Sequence, residues 1–186
     1  MKKDTQTYLL KLSRKTIVEF IKGKQTYTPS SLDIPKEALG EKATFVTLTQ
    51  SNNLRGCIGK ILPVQSIYKD VIENSLGAAF EDSRFPPLKE NELNKTKIEI
   101  SVLSKPQTLN YPNSDQLIEH MRENHPGVII SKGISSATFL PQVWKELPDP
   151  STFLKYLCLK AGLHENEWLQ NTLLIQTYNV ESFKEA

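Results

Sequence analysis

Long apolar runs are absent from this sequence. Its most apolar stretches, residues 127–130 and 173–175, are far shorter than the roughly 20 residues that cross a bilayer, and Met1-Lys2-Lys3 leads into Asp4-Thr5-Gln6 instead of an apolar signal core. A cytoplasmic protein with no membrane role is expected. Excess charge of one sign is also missing: 23 lysines and arginines face 21 aspartates and glutamates, and neither sign gathers into a long run. With an aromatic fraction of 8% there is no basic, base-stacking platform, so nucleic acid is not expected as a partner.

Cysteine is scarce and metal-binding spacings are lacking. The two cysteines, Cys57 and Cys158, make no disulfide framework in a chain without a secretion signal, and both are expected reduced. No CxxC, HxH or HExxH pattern occurs, so a metal would need scattered ligands; no metal and no cofactor are read from the sequence. Gly56 and Gly59 are too few for a phosphate-cradling loop, and they lead towards another strand and Pro63 instead of a helix. No internal repeat is present, which sets solenoids aside.

What remains is a chain of 186 residues with the apolar and charged fractions of a globular protein, enough for one domain over 1–186. Residues 5–21 carry Leu9, Leu12, Ile17, Phe20 and Ile21 at helical spacing before Gly23, which reads as an opening helix with a glycine stop. Residues 24–42 are polar, hold Pro29 and Pro35, and read as a surface loop. A β-branched stretch at 44–49, the turn residues Asn52-Asn53 and an apolar pattern over 54–62 give strand, turn, strand. Residues 65–80 form the strongest helical pattern, stopped by Pro86-Pro87. Alternation over 97–103 predicts a half-exposed strand. Further on, the pattern predicts helices at 114–122 and 151–161, strands at 128–131 and 137–140, and a last strand at 173–180. Paired strands with helices between the groups point to α+β, a mainly antiparallel or mixed sheet with flanking helices.

Chemistry concentrates in two segments. In a regular strand alternate side chains share a face, so Arg55 and Cys57 are expected to point one way and Leu54, Gly56 and Ile58 the other. A guanidinium beside a thiol favours the thiolate, and Gly56 and Gly59 would let a ligand approach closely. On the blander reading Cys57 is a small buried hydrophobe and the glycines mark a bulge or bend. Of three histidines, His125 ahead of Pro126-Gly127 is the best placed to act as a base, although no spacing ties it to Cys57; His120 and His164 read as surface residues. The second segment, Glu81-Asp82-Ser83-Arg84-Phe85-Pro86-Pro87-Leu88, crowds charge into a rigid turn after a buried helix. Glu81, Asp82 and Arg84 could hold a polar substrate or a partner peptide, or Asp82 and Arg84 could bond the turn and cap the helix.

Leu54-Arg55-Gly56-Cys57-Ile58-Gly59, Ala78-Ala79-Phe80 with the charged turn through Leu88, Ile100-Ser101-Val102-Leu103-Ser104, Leu140-Pro141-Gln142-Val143-Trp144, and Phe153-Leu154 through Lys160-Ala161-Gly162-Leu163 occur in an order that resembles the AMMECR1 family, called AmmeMemoRadiSam system protein A in prokaryotes. The likeness runs from about residue 45 to 183. It departs from the family pattern at Ser83, where proline is common, and at Pro126 before Gly127. The resemblance implies an α+β domain of two unequal lobes around a sheet, with a cleft between them and the hexapeptide near it. It names no reaction, but implies Memo-like and radical-SAM proteins as partners. Two functions stay open. In one, Cys57 is a nucleophile or redox thiol with Arg55 supplying positive charge and Glu81, Asp82, Arg84 or His125 orienting a small molecule. In the other, the hexapeptide and the proline-bounded turn form a non-catalytic surface that docks a protein or peptide.

Overall fold

In the computed structural model, which describes residues 1–186, the predicted helices and strands sort into two units, residues 1–105 with 181–186, and residues 106–180. The architecture is the expected α+β one with antiparallel sheet and flanking helices, and the sheet is divided in two, four strands in each unit. The strand pairings that build both sheets are antiparallel.

In the first unit α1 (Lys3–Gly23) is followed by β1 (Thr44–Gln50), β2 (Asn53–Gly59), α2 (Ile67–Leu76) and β3 (Thr96–Leu103). The helix α1 ends on Lys24 in the left-handed region (φ 57°), one residue beyond the glycine expected to stop it. Residues 24–42 hold two short 3-10 turns, Ser31–Asp33 and Lys36–Leu39, the second burying Ala38. Ser51 and Asn52 both take positive φ, the backbone twist that lets a two-residue turn join β1 to β2. The strand ends at Gly59, with one further backbone bond from Lys60 to the Thr44 carbonyl at 3.1 Å, so β2 is shorter than the pattern over 54–62 suggested.

The sheet order is β2-β1-β3-β8, where β8 (Val180–Lys184) comes from the far end of the chain. The expected last strand is therefore two strands: β7 (Leu174–Tyr178) stays with the second unit and β8 joins the first. Because β3 lies between β1 and β8, most of its residues are buried, and the half-exposed strand expected there is corrected. Val46 faces Ile100 and Leu48 faces Ile98, all four fully buried under Leu9, Ile17, Ile67 and Val71 from α1 and α2. Each such side chain stabilises by about 1.5–3 kcal/mol. A buried polar network pins α2 to β1: Asp70 accepts from the backbone N–H (2.8 Å) and hydroxyl (2.7 Å) of Thr44, and Asn74 donates to the Thr44 carbonyl at 3.0 Å.

The second unit contains β4 (Gln107–Thr108), α3 (Ser114–Asn124), β5 (Gly127–Lys132), β6 (Ser135–Phe139), α4 (Pro150–Lys160) and β7, in sheet order β4-β7-β5-β6. Both helices start on a side-chain cap: Asn113 accepts from the Gln116 N–H at 3.0 Å and Asp149 from the Thr152 N–H at 2.8 Å, with Pro150 at the first helical position. Leu117, Met121, Val128, Ile130, Phe153 and Leu157 form the core, with Trp144 stacked on Phe153 at 3.8 Å.

Candidate functional site

The hexapeptide is β2, an edge strand, and its shape is set by a bulge. Thr49 pairs with Leu54 but Leu48 with Gly56, so Arg55 is the extra residue. The bulge cancels the expected alternation. Cys57 lies opposite Thr47 on the outer row, whereas Arg55 turns to the core-facing row with Gly56 and Leu48. There its guanidinium pairs with Glu92, Nε at 2.9 Å and Nη2 at 3.2 Å, and only 10% of the Arg55 side chain stays exposed. Glu92, in a 3-10 turn (Glu90–Lys95), also accepts from Gln50 at 3.1 Å and from the Lys89 N–H at 2.9 Å. The Arg55 pairing lowers the Glu92 pKa to about 2. The expectation that Arg55 sits beside the Cys57 thiol is thus corrected, since its charge is taken by Glu92.

The glycines are explained by close approach. A Cβ on Gly56 would lie 2.1 Å from the Ala78 carbonyl oxygen, and one on Gly59 2.3 Å from the Phe45 ring. Ala78 belongs to a π-helical turn, Gly77–Glu81, into which α2 runs in place of the continuous helix expected to Phe80. This turn presses its backbone onto β2 and aims the following charged segment along the strand's open edge.

On that edge both polar backbone groups of Cys57 point away from β1, and side chains meet them. The Cys57 N–H donates to Asp82 Oδ2 at 2.8 Å, and Arg84 Nη2 donates to the Cys57 carbonyl at 3.3 Å. Arg84 also grips Asp82 through Nε (2.9 Å) and Nη2 (2.7 Å). Asp82 and Arg84 together present an acceptor and a donor as a neighbouring strand would. Asp82 is deeply buried, its side chain 4% exposed, while 55% of the Arg84 side chain faces solvent. The Arg84 guanidinium, more than the backbone N–H groups of Cys57 and Arg84, holds the Asp82 carboxyl well below the usual carboxylate range; Asp82 in turn raises Arg84. The charged turn is therefore a structural clamp that leaves one arginine face free. Arg84 Nη1 makes no protein hydrogen bond, and the guanidinium lies 5.6 Å from the Phe85 ring.

The Cys57 thiol is half-buried, 3.2 Å from the Thr47 hydroxyl. Burial pushes its pKa up, and the smaller opposing pulls come from Thr47 and Arg84. Glu81 is exposed at the end of the π-helical turn. His125 belongs to the second unit, where its φ of 43° ends α3 and its ring meets Trp144 edge-on at 5.1 Å. Nowhere do three or more His, Cys, Asp or Glu side chains converge as a metal-ligand set. No helix is long and apolar enough to cross a membrane.

Thr47 and Glu92 were missed from the sequence. Counting outward from the two-residue turn puts Gly56 opposite Thr47; only the bulge moves Cys57 there. Glu92 lies 37 residues from Arg55 with no spacing signal.

A family model described as AMMECR1 matches residues 10–183. A protein of Methanosarcina barkeri is 37% identical over 179 residues, 95% of this chain and 88% of the relative. One of Nanoarchaeum equitans is 37% identical over 180 residues, 95% of this chain and 98% of the relative. Among solved structures, that of an uncharacterised protein from Pyrococcus horikoshii matches with a TM-score of 0.88 and 32% identity over 100% of this chain and 93% of that one.

Proposed function

The chain belongs to the AMMECR1 family, and from that premise we propose that it is a cytoplasmic docking domain, working with Memo-like and radical-SAM proteins in a modification pathway. The β2 edge, with Arg84 at its centre, engages a polar group of the partner. The observation that carries this reading is the state of Arg84: clamped by buried Asp82 and the Cys57 carbonyl, yet more than half exposed with Nη1 unused. Such a guanidinium is pre-organised to donate to a carboxylate or carbonyl at little entropic cost. Cys57 lines the surface as a neutral thiol.

A second reading, in which Cys57 is a nucleophile, draws on the nearness of Arg84, whose charge offsets part of the upward push that burial gives the thiol. The two separate cleanly in a titration against purified Memo-like and radical-SAM proteins, with unfolding midpoints measured alongside. Docking expects Cys57→Ser to bind like the parent chain and Arg84→Ala to bind about tenfold more weakly. Full binding by Arg84→Ala with loss in Cys57→Ser would reverse the assignment.

A further inference from the structure

The outward face of α1 carries a feature that the β2 site does not use. A trough of about 530 Å³ runs along α1 between Thr7 and Val18, with Leu10 and Val18 in its lining and Lys184, the last residue of β8, with Glu185 and Ala186 after it as its far wall. Thr7, Leu10, Lys11, Arg14, Lys15 and Val18 recur at three- and four-residue intervals, so they form one stripe, about 17 Å long at the helical rise.

The side-chain charges in the trough are unbalanced; beside them the lining holds Ala186, whose main-chain oxygen accepts from Lys97. Glu185 is its one acidic side chain and is taken by Arg14, whose Nε meets Glu185 Oε1 at 3.0 Å while its other nitrogens donate to the carbonyls of Leu93 (3.0 Å) and Thr96 (2.7 Å). Lys11, Lys15 and Lys184 are exposed, and no acidic side chain pairs with them; Lys15 lies 4.2 Å over the Tyr27 ring and donates to its hydroxyl at 3.1 Å, which leaves its charge in place. Glu19, one turn on from Lys15, is outside the lining.

We propose that this trough docks an acidic amphipathic helix of a partner protein, about three turns long. The aliphatic side chains and lysine stems would take its apolar face, and the three ammonium groups its flanking carboxylates. Nucleic acid fits less well. The lining holds no aromatic ring on which a base could stack, and three lysines neutralise few phosphates.

The test is fluorescence anisotropy on the full chain with three labelled probes: a synthetic amphipathic peptide of about 14 residues with leucines at helical spacing between glutamates, a scrambled peptide of the same composition, and a deoxythymidine oligomer. The amphipathic peptide is expected to bind, to weaken as salt rises, and to lose about tenfold in affinity in Lys11→Glu/Lys184→Glu. Arg84→Ala, on the β2 edge, is expected to leave this binding unchanged. Equal binding of the scrambled peptide, tighter binding of the oligomer, indifference to the double charge reversal, or no measurable binding of the amphipathic peptide would each overturn the proposal.

Discussion

Asp82 accepts the amide of Cys57 at 2.8 Å, and Arg84, held by the same carboxylate, donates to the Cys57 carbonyl at 3.3 Å. One turn thereby closes both open valences of an edge-strand residue without adding a strand. Replacing Asp82 by Ala strands the Cys57 N–H and frees Arg84. A loss of about 2–3 kcal/mol in unfolding free energy is expected, measured by urea titration. A change under 0.5 kcal/mol, the range of an ordinary surface substitution, would show that the clamp contributes nothing.

Glu92 links stability to pH. Its carboxyl is lowered to about 2 by Arg55, against about 4.3 in an unfolded chain, so the unfolded state takes up protons first as pH falls. The stabilisation is complete above about pH 4.3 and fades towards pH 2. Glu92→Gln should lower stability at neutral pH and flatten the acid limb of the unfolding midpoint between those values.

Gly56 is required by space. Gly56→Ala drives a Cβ onto the Ala78 carbonyl oxygen at 2.1 Å, backbone against backbone, so the hairpin and the π-helical turn must separate. A loss of about 3 kcal/mol or more is expected, at the upper end of overpacking costs. Gly23→Ala, whose Cβ meets nothing within 4 Å, should be neutral or slightly stabilising.

In the second unit burial pushes the Tyr178 hydroxyl up to about 12, with Thr138 at 2.9 Å and the Phe139 carbonyl at 3.2 Å as partners. Because the unfolded tyrosine ionises near 10, this group's stabilisation is present below that pH and is lost as pH rises towards 12. Tyr178→Phe should reduce the steepness of alkaline unfolding. Ultraviolet difference titration should show one phenolic group fewer ionising near pH 12.

The parts of the fold that were legible were those written in local period: α1, the β1–β2 hairpin, and α3 and α4 fall where apolar spacing put them. What was hidden depended on partners distant in sequence. Burial of β3 requires β8, 81 residues away at the Ser101–Ser182 hydrogen bond, and no local pattern announces that neighbour. The site divides the same way. Gly56, Gly59, Asp82 and Arg84 stood out by residue type and do meet or border one edge. The bulge at Arg55 turned the most suggestive pair apart, because one extra residue reverses which face a side chain takes.

The most direct test of the docking account is the rate of iodoacetamide modification of Cys57 against pH, followed by mass spectrometry on the native chain with fully buried Cys158 as internal reference. The account expects Cys57 to react slowly at neutral pH, with its rate climbing only above the ordinary thiol range because burial opposes the thiolate, and more slowly still in Arg84→Ala. A rate that is already at its plateau by pH 7 would mean an activated thiolate, and would contradict the assignment of Cys57 as a lining residue.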